Sequence, residues 1–102
     1  MQLEIPIFER KYVGNKQVVF FVVRLCCGRK KWNLEKRYNE FHDMNEALKN
    51  KHANMPAFPA KTYFSLSKDS DIHTRREGLN TYMKDLSNRL DMRTSSPFRS
   101  FL

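Results

Sequence analysis

The six-residue run Val18-Val19-Phe20-Phe21-Val22-Val23, with Gly14-Asn15 before it and Gly28 after it, dictates a β-sheet at the start of this chain. β-Branched and aromatic side chains pack well on a pleated surface, and a short apolar run closed at both ends by turn residues reads as a central buried strand. Upstream, Leu3, Ile5 and Ile7 alternate with polar or edge-tolerant residues, which predicts a strand hairpinned to it through Gly14-Asn15. Downstream of Gly28, Trp32 and Leu34 fall on one face of a third strand, with Lys31, Asn33 and Glu35 on the other. The first third of the chain is therefore expected to be a three-stranded antiparallel meander.

From Asn39 the period changes. Phe41, Met44 and Leu48 recur at helical spacing, predicting a helix from Asn39 to about Ala53. Met55-Pro56-Ala57-Phe58-Pro59-Ala60-Lys61 cannot continue it, because proline lacks an amide donor and forces its predecessor toward extended geometry; an ordered polyproline-like loop is expected. Ser67 to Asp71 offers capping chemistry for a long amphipathic helix over about Ile72 to Asp91, whose apolar face is Leu79, Tyr82, Met83, Leu86 and Leu90. Ser96-Pro97 opens a last short helix, with serine as cap, proline at the first helical position and Phe98, Phe101 and Leu102 as its apolar face. The fold class is α+β: a β-meander packed against a helical subdomain, with a polyproline loop between the first two long helices. No internal repeat or low-complexity tract interrupts it.

A length of 102 residues suits one small domain with one modest core, so residues 1–102 are read as a single module, cut from a longer protein. The balance of 19 Lys+Arg against 11 Asp+Glu, a net +8, favours an anionic partner, either a membrane surface or nucleic acid. No apolar run approaches the ~18 residues of a membrane span, and Glu4 at the start does not fit a signal peptide, so a soluble, cytosol-facing domain is expected. Cys26 and Cys27 are adjacent in a predicted strand and point to opposite faces; they are expected to be reduced thiols, one of them in the core. His42, His52 and His73 have no companions at metal-ligand spacing, and no cysteine–histidine or serine–histidine pair can be assigned to one site. They are read as surface residues. Neither an enzyme, a metal nor a cofactor is expected, and no base-reading motif supports nucleic-acid binding.

The chemistry-bearing residues form an ordered set. Arg37-Tyr38-Asn39-Glu40-Phe41 lies at the third strand's junction with the first helix and joins an arginine fork, an aromatic face and a core anchor in one turn. Met55-Pro-x-x-Pro-x-Lys61 follows, and Arg75-Arg76-Glu77-Gly78-Leu79 lies in the second long helix. This order resembles the phox-homology (PX) domain over nearly the whole chain. The resemblance implies a non-enzymatic module that binds phosphatidylinositol 3-phosphate and places its parent protein on endosomal or related membranes. It implies that Arg37 holds the 3-phosphate, Tyr38 floors the inositol ring, Lys61 pairs with the 1-phosphodiester and Arg75 donates to the 4- and 5-hydroxyls. The family spacing to Gly78-Leu79 selects Arg75 over Arg76. Tyr63, Phe64 and Leu66, just beyond Lys61, and Tyr12 and Val13, beside the first hairpin turn, are then expected to enter the lipid interface. Lys16, Lys68 and Arg76 would lie against anionic lipid. Broader phosphoinositide specificity, or docking of a protein partner, is the alternative; oligomeric state is not legible.

Overall fold

The computed structural model of the protein describes residues 1–59 and 68–102. Three antiparallel strands, β1 (Gln2–Val13), β2 (Lys16–Cys27) and β3 (Lys30–Lys36), form one sheet in sequence order. Both connections are two-residue turns with glycine at positive φ in the first central position, Gly14 at 63° and Gly28 at 62°. A side chain is strained there, and turns of this kind match the twist of a hairpin.

Four helices follow among the described residues: α1 (Tyr38–Lys49), α2 (Asp69–Ser87), α3 (Leu90–Arg93) and α4 (Ser96–Phe101). Helix α2 packs along β1, α1 meets β2, and α4 closes on α1. Between them lies one core, to which the sheet gives Leu3, Ile5, Val19, Phe21, Val23 and Leu25. The helices contribute Phe41, Met44 and Leu48 from α1 and Ile72, Leu79, Tyr82, Met83 and Leu86 from α2. Phe41 anchors the junction after β3, edge-on to Phe21 at 6.2 Å and tilted against Phe101 at 4.9 Å. Tyr82 is enclosed with its hydroxyl donating to Asn45 Oδ1 at 2.7 Å, and burial pushes its pKa up.

Several expectations are corrected. Ile7 does not continue the inward alternation of Leu3 and Ile5; it is 47% exposed. Pairing runs Glu4↔Arg24 and then Ile7↔Val22, so β1 carries one extra residue there, and this bulge turns Phe8 rather than Ile7 toward the core. The first helix ends at Lys49, short of Ala53. The second ends at Ser87, with Asn88 as its C-cap and Arg89 extended, so Leu90 starts a separate short helix and is 69% exposed; Met92 takes the buried place. The residues capping α2 and α4 are Lys68 and Ser95, neither through its side chain. Cys26 is half-buried and Cys27 exposed, at the end of β2, so neither thiol is in the core. Residues 55–59 are in neither helix nor strand, and the rest of the proposed polyproline loop lies outside the described residues.

Candidate phosphate-binding site

Arg37 occupies the N-cap of α1 in extended geometry, directly after β3, and is exposed. An arginine has no oxygen with which to cap the first turn. The local bond runs the other way: Glu40 Oε1 accepts from the Arg37 N–H at 3.1 Å. The Glu40 carboxylate thus already occupies the N-cap amide, and it is the exposed guanidinium fork of Arg37 beside the helix start that can take a further anion.

Tyr38, the next residue, is buried, and three contacts hold its ring. Its hydroxyl donates to the Pro59 carbonyl at 2.8 Å, Phe58 tilts against it at 5.6 Å, and the Arg75 guanidinium lies 3.9 Å from the ring centroid. Arg75 itself is only 8% exposed. Burial pushes the Tyr38 hydroxyl up and the Arg75 guanidinium down, each partly offset by the attraction between cation and phenolate. An arginine begins so far above neutrality that it stays charged here. The site therefore holds a desolvated permanent cation stacked on an aromatic face, next to the exposed Arg37.

Helical geometry explains why Arg75 and not Arg76 reaches Tyr38. Arg75 follows Ile72 by three and precedes Leu79 by four, so it shares their buried stripe. Arg76 points ~100° away and donates from Nη1 to the Ile5 carbonyl of β1 at 2.8 Å. One turn further, Asn80 Oδ1 accepts from the Ile5 N–H at 2.7 Å. The pair clamps α2 to the bulged part of β1 and so fixes the rotation that presents Arg75. Gly78 sets the remaining contact. A Cβ there would come 2.9 Å from Pro59 Cγ, so the glycine lets the proline segment lie against α2. Sequence reading used Gly78 only as a register mark and did not single out Phe58, Pro59 or His42, whose ring stacks on Tyr38 at 6.2 Å.

Of the other predicted residues, Tyr12 and Val13 are exposed at the β1–β2 turn, Tyr12 at 74%. Arg10, two residues before Tyr12, pairs with Asp69 at the start of α2. That end of α2 and the hairpin tip therefore belong to one end of the molecule. Lys61, Tyr63, Phe64 and Leu66 lie outside the described residues.

One serine–histidine arrangement does exist, contrary to the sequence reading, and one histidine is largely covered. His52 Nε2 is 2.9 Å from Ser95 Oγ, and its Nδ1 is 3.5 Å from Asp91 Oδ2. The three fall in the order of a hydrolytic triad, but Ser95 is only 8% exposed and Asp91 is held by Arg89 at 2.7 Å. A nucleophile needs an open side. Arg89 also donates to the carbonyls of Asn54 and Ala53, so the cluster ties the end of α1 to α3 and α4. Among the described residues no His/Cys/Asp/Glu group could hold a metal, and no helix is long and apolar enough to cross a membrane.

Comparison with known proteins agrees with this architecture. The sequence profile described as "PX domain" matches residues 25–102. Serine/threonine-protein kinase Sgk3 of Rattus norvegicus is 29% identical over an alignment 102 residues long that covers 98% of this chain and 21% of the kinase. Kinesin-like protein KIF16B of Homo sapiens is 30% identical over 99 residues, 95% of this chain and 8% of the kinesin. The chain thus spans about a fifth or less of the length of these relatives. Among solved structures, a designed CISK-PX domain superposes with a TM-score of 0.91 at 24% identity, covering 100% of this chain and 98% of that one. The mouse SNX19 PX domain with bound sulphate ion gives 0.70 at 19%, covering 100% and 94%. The chain belongs to the PX domain family, whose members are non-catalytic modules that bind phosphoinositides and associate peripherally with membranes.

Proposed function

We propose that residues 1–102 act as one module that binds phosphatidylinositol 3-phosphate in the cytosolic leaflet of endosomal or related membranes. The observation that carries this reading is the Arg75 guanidinium over the Tyr38 ring at 3.9 Å, with the exposed Arg37 adjacent in sequence at the start of α1. Arg37 takes the 3-phosphate. Arg75 reaches the neighbouring ring hydroxyls across Tyr38, which supports the inositol. Lys61 takes the 1-phosphodiester. The sulphate bound by the SNX19 domain is a tetrahedral dianion and is compatible with a phosphate site on this fold.

Charge-assisted hydrogen bonds contribute ~1.5–3 kcal/mol each, so a few of them give modest head-group affinity once ordering costs are counted. The membrane supplies the rest. Tyr12 and Val13 at the hairpin tip enter the interfacial layer with Tyr63, Phe64 and Leu66, and Lys16 and Lys68 face anionic lipid. The Arg10–Asp69 pair supports this grouping, because it ties the hairpin to the residue that follows Lys68.

Calorimetric titration with soluble short-chain phosphoinositides tests the pocket apart from the bilayer. The 3-phosphate isomer should bind the wild-type domain and lose at least ~30-fold in affinity with Arg37→Ala, about the size of one well-made charged contact. Equal binding of the 4- or 5-phosphate isomers would contradict the assignment of Arg75.

A further inference from the structure

The two edges of the sheet are finished differently. At β1 the backbone of Ile5 is closed on both sides, its N–H by Asn80 and its carbonyl by Arg76, and α2 lies along the strand. β3 has only β2 as a substantial neighbour among the described elements, and Lys30, Lys31, Trp32, Asn33 and Glu35 are exposed. The turn Gly28-Arg29 is closed by the pair Cys27↔Lys30, and pairing continues without a slip to Phe21↔Lys36. In a two-residue hairpin the closing pair exchanges hydrogen bonds and the pattern then alternates, so the N–H and C=O groups of Lys31, Asn33 and Glu35 point away from β2. That is a row of main-chain donors and acceptors with no further strand of the described residues beside it.

The side chains along this edge state what kind of strand fits. Arg29, Lys30 and Lys31 are exposed and make no ion pair with any described residue, whereas Glu35 is neutralised by Lys11 at 2.6 Å. Lysines on an edge repel a second copy of a chain that carries +8, and they attract an acidic strand. Trp32, 37% exposed, projects from the face opposite to Lys31 and offers one apolar contact to the neighbouring side chain on that face of an added strand. A nucleic acid would satisfy the charges but not the alternating backbone groups. The turn at Gly28-Arg29 lies at the opposite end of the 12-residue β2 from the Gly14-Asn15 tip, ~35 Å away, so the basic end of this edge is remote from the proposed bilayer contact.

We infer that the outer edge of β3, from Lys30 to Glu35, is a docking site for an extended acidic peptide segment of a partner protein, which adds to the sheet as a fourth strand. This surface starts at the Gly28-Arg29 turn and ends two residues before Arg37. It gives the module a protein-facing side while the hairpin tip faces lipid.

The test uses a peptide alternating glutamate and valine, titrated into the isotopically labelled domain, with amide hydrogen exchange and chemical shift as readouts. Binding should slow exchange at Lys31, Asn33 and Glu35, and Lys30→Glu with Lys31→Glu should weaken it ~10-fold or more. Asn33→Pro removes an outward N–H that the fold does not use, so it should abolish peptide binding while circular dichroism and soluble head-group binding stay unchanged. Absence of binding, binding without protection of those three amides, unchanged binding by Asn33→Pro, or equal competition by a single-stranded oligonucleotide would each overturn the inference.

Discussion

At the scale of single residues, the site depends on a cation that has given up water. Arg75 lies with its guanidinium 3.9 Å from the Tyr38 ring centroid, a cation–π contact, and Tyr38 is held in turn by its hydrogen bond to the Pro59 carbonyl. Arg75→Lys is expected to lower head-group affinity ~10-fold and destabilise the fold by ~1 kcal/mol, the scale of a half-desolvated cation–π contact; thermal unfolding and calorimetry check both. Gly78→Ala is the sharper test of positioning. Alanine gains ~1 kcal/mol of helix propensity over glycine, yet its Cβ would come 2.9 Å from Pro59. The prediction is a lower melting temperature despite that gain, with head-group binding weakened because Pro59 carries the Tyr38 hydroxyl. A rise in melting temperature with unchanged binding would show that the proline segment can shift freely. Helical spacing alone said that Arg75 and Arg76 cannot share one pocket, and the choice of Arg75 rested on the family spacing to Gly78-Leu79; the stripe Ile72, Arg75, Leu79 that turns Arg75 inward is a finding of the structure. The reason for Gly78 was not legible in the sequence, because it depends on a contact with a loop 19 residues earlier.

At the scale of elements, the meander was legible because apolar runs and two glycine turns agree with one another. The bulge in β1 was not read, although Pro6 marks it: a strand with one extra residue reverses its faces, and Ile7 changes sides. The break after Ser87 escaped because Leu90 keeps the helical spacing of Leu86; only Arg89, extended and bonded to the carbonyls of Ala53 and Asn54, shows why the helix stops. Asn80 is the element-level hinge of the site. Asn80→Ala leaves the partly buried Ile5 N–H without an acceptor and is expected to cost ~1–3 kcal/mol in denaturant unfolding. On the outer sheet face, the hydrogen bond from Lys11 holds the Glu35 carboxyl below its ordinary value of 4.5 and raises Lys11 above 10.5. Glu35's share of stability is therefore present above pH 4.5 and lost as pH falls through its lowered folded value. Lys11's share is present below pH 10.5 and lost as pH rises through its raised folded value. Lys11→Met should remove both, so its unfolding free energy should differ from wild type near neutrality and converge with it at strongly acid pH.

At the scale of the whole molecule, the sheet spans two ends with different chemistry. One carries Tyr12, Val13 and the start of α2; the other carries Arg29, Lys30 and Lys31. Composition predicted an anionic partner without saying where, because a net charge has no direction. Replacing Tyr12 and Val13 by alanine should weaken liposome binding ~10-fold through lost interfacial burial while leaving soluble head-group affinity unchanged. The same change in both assays would instead make those residues part of the pocket. The most direct test of the account is liposome co-sedimentation across all phosphoinositide isomers at near-physiological salt, comparing wild type with Arg37→Ala. Capture by the 3-phosphate isomer alone, abolished by Arg37→Ala, is the predicted result; binding to every anionic liposome irrespective of isomer, or to none, would contradict it.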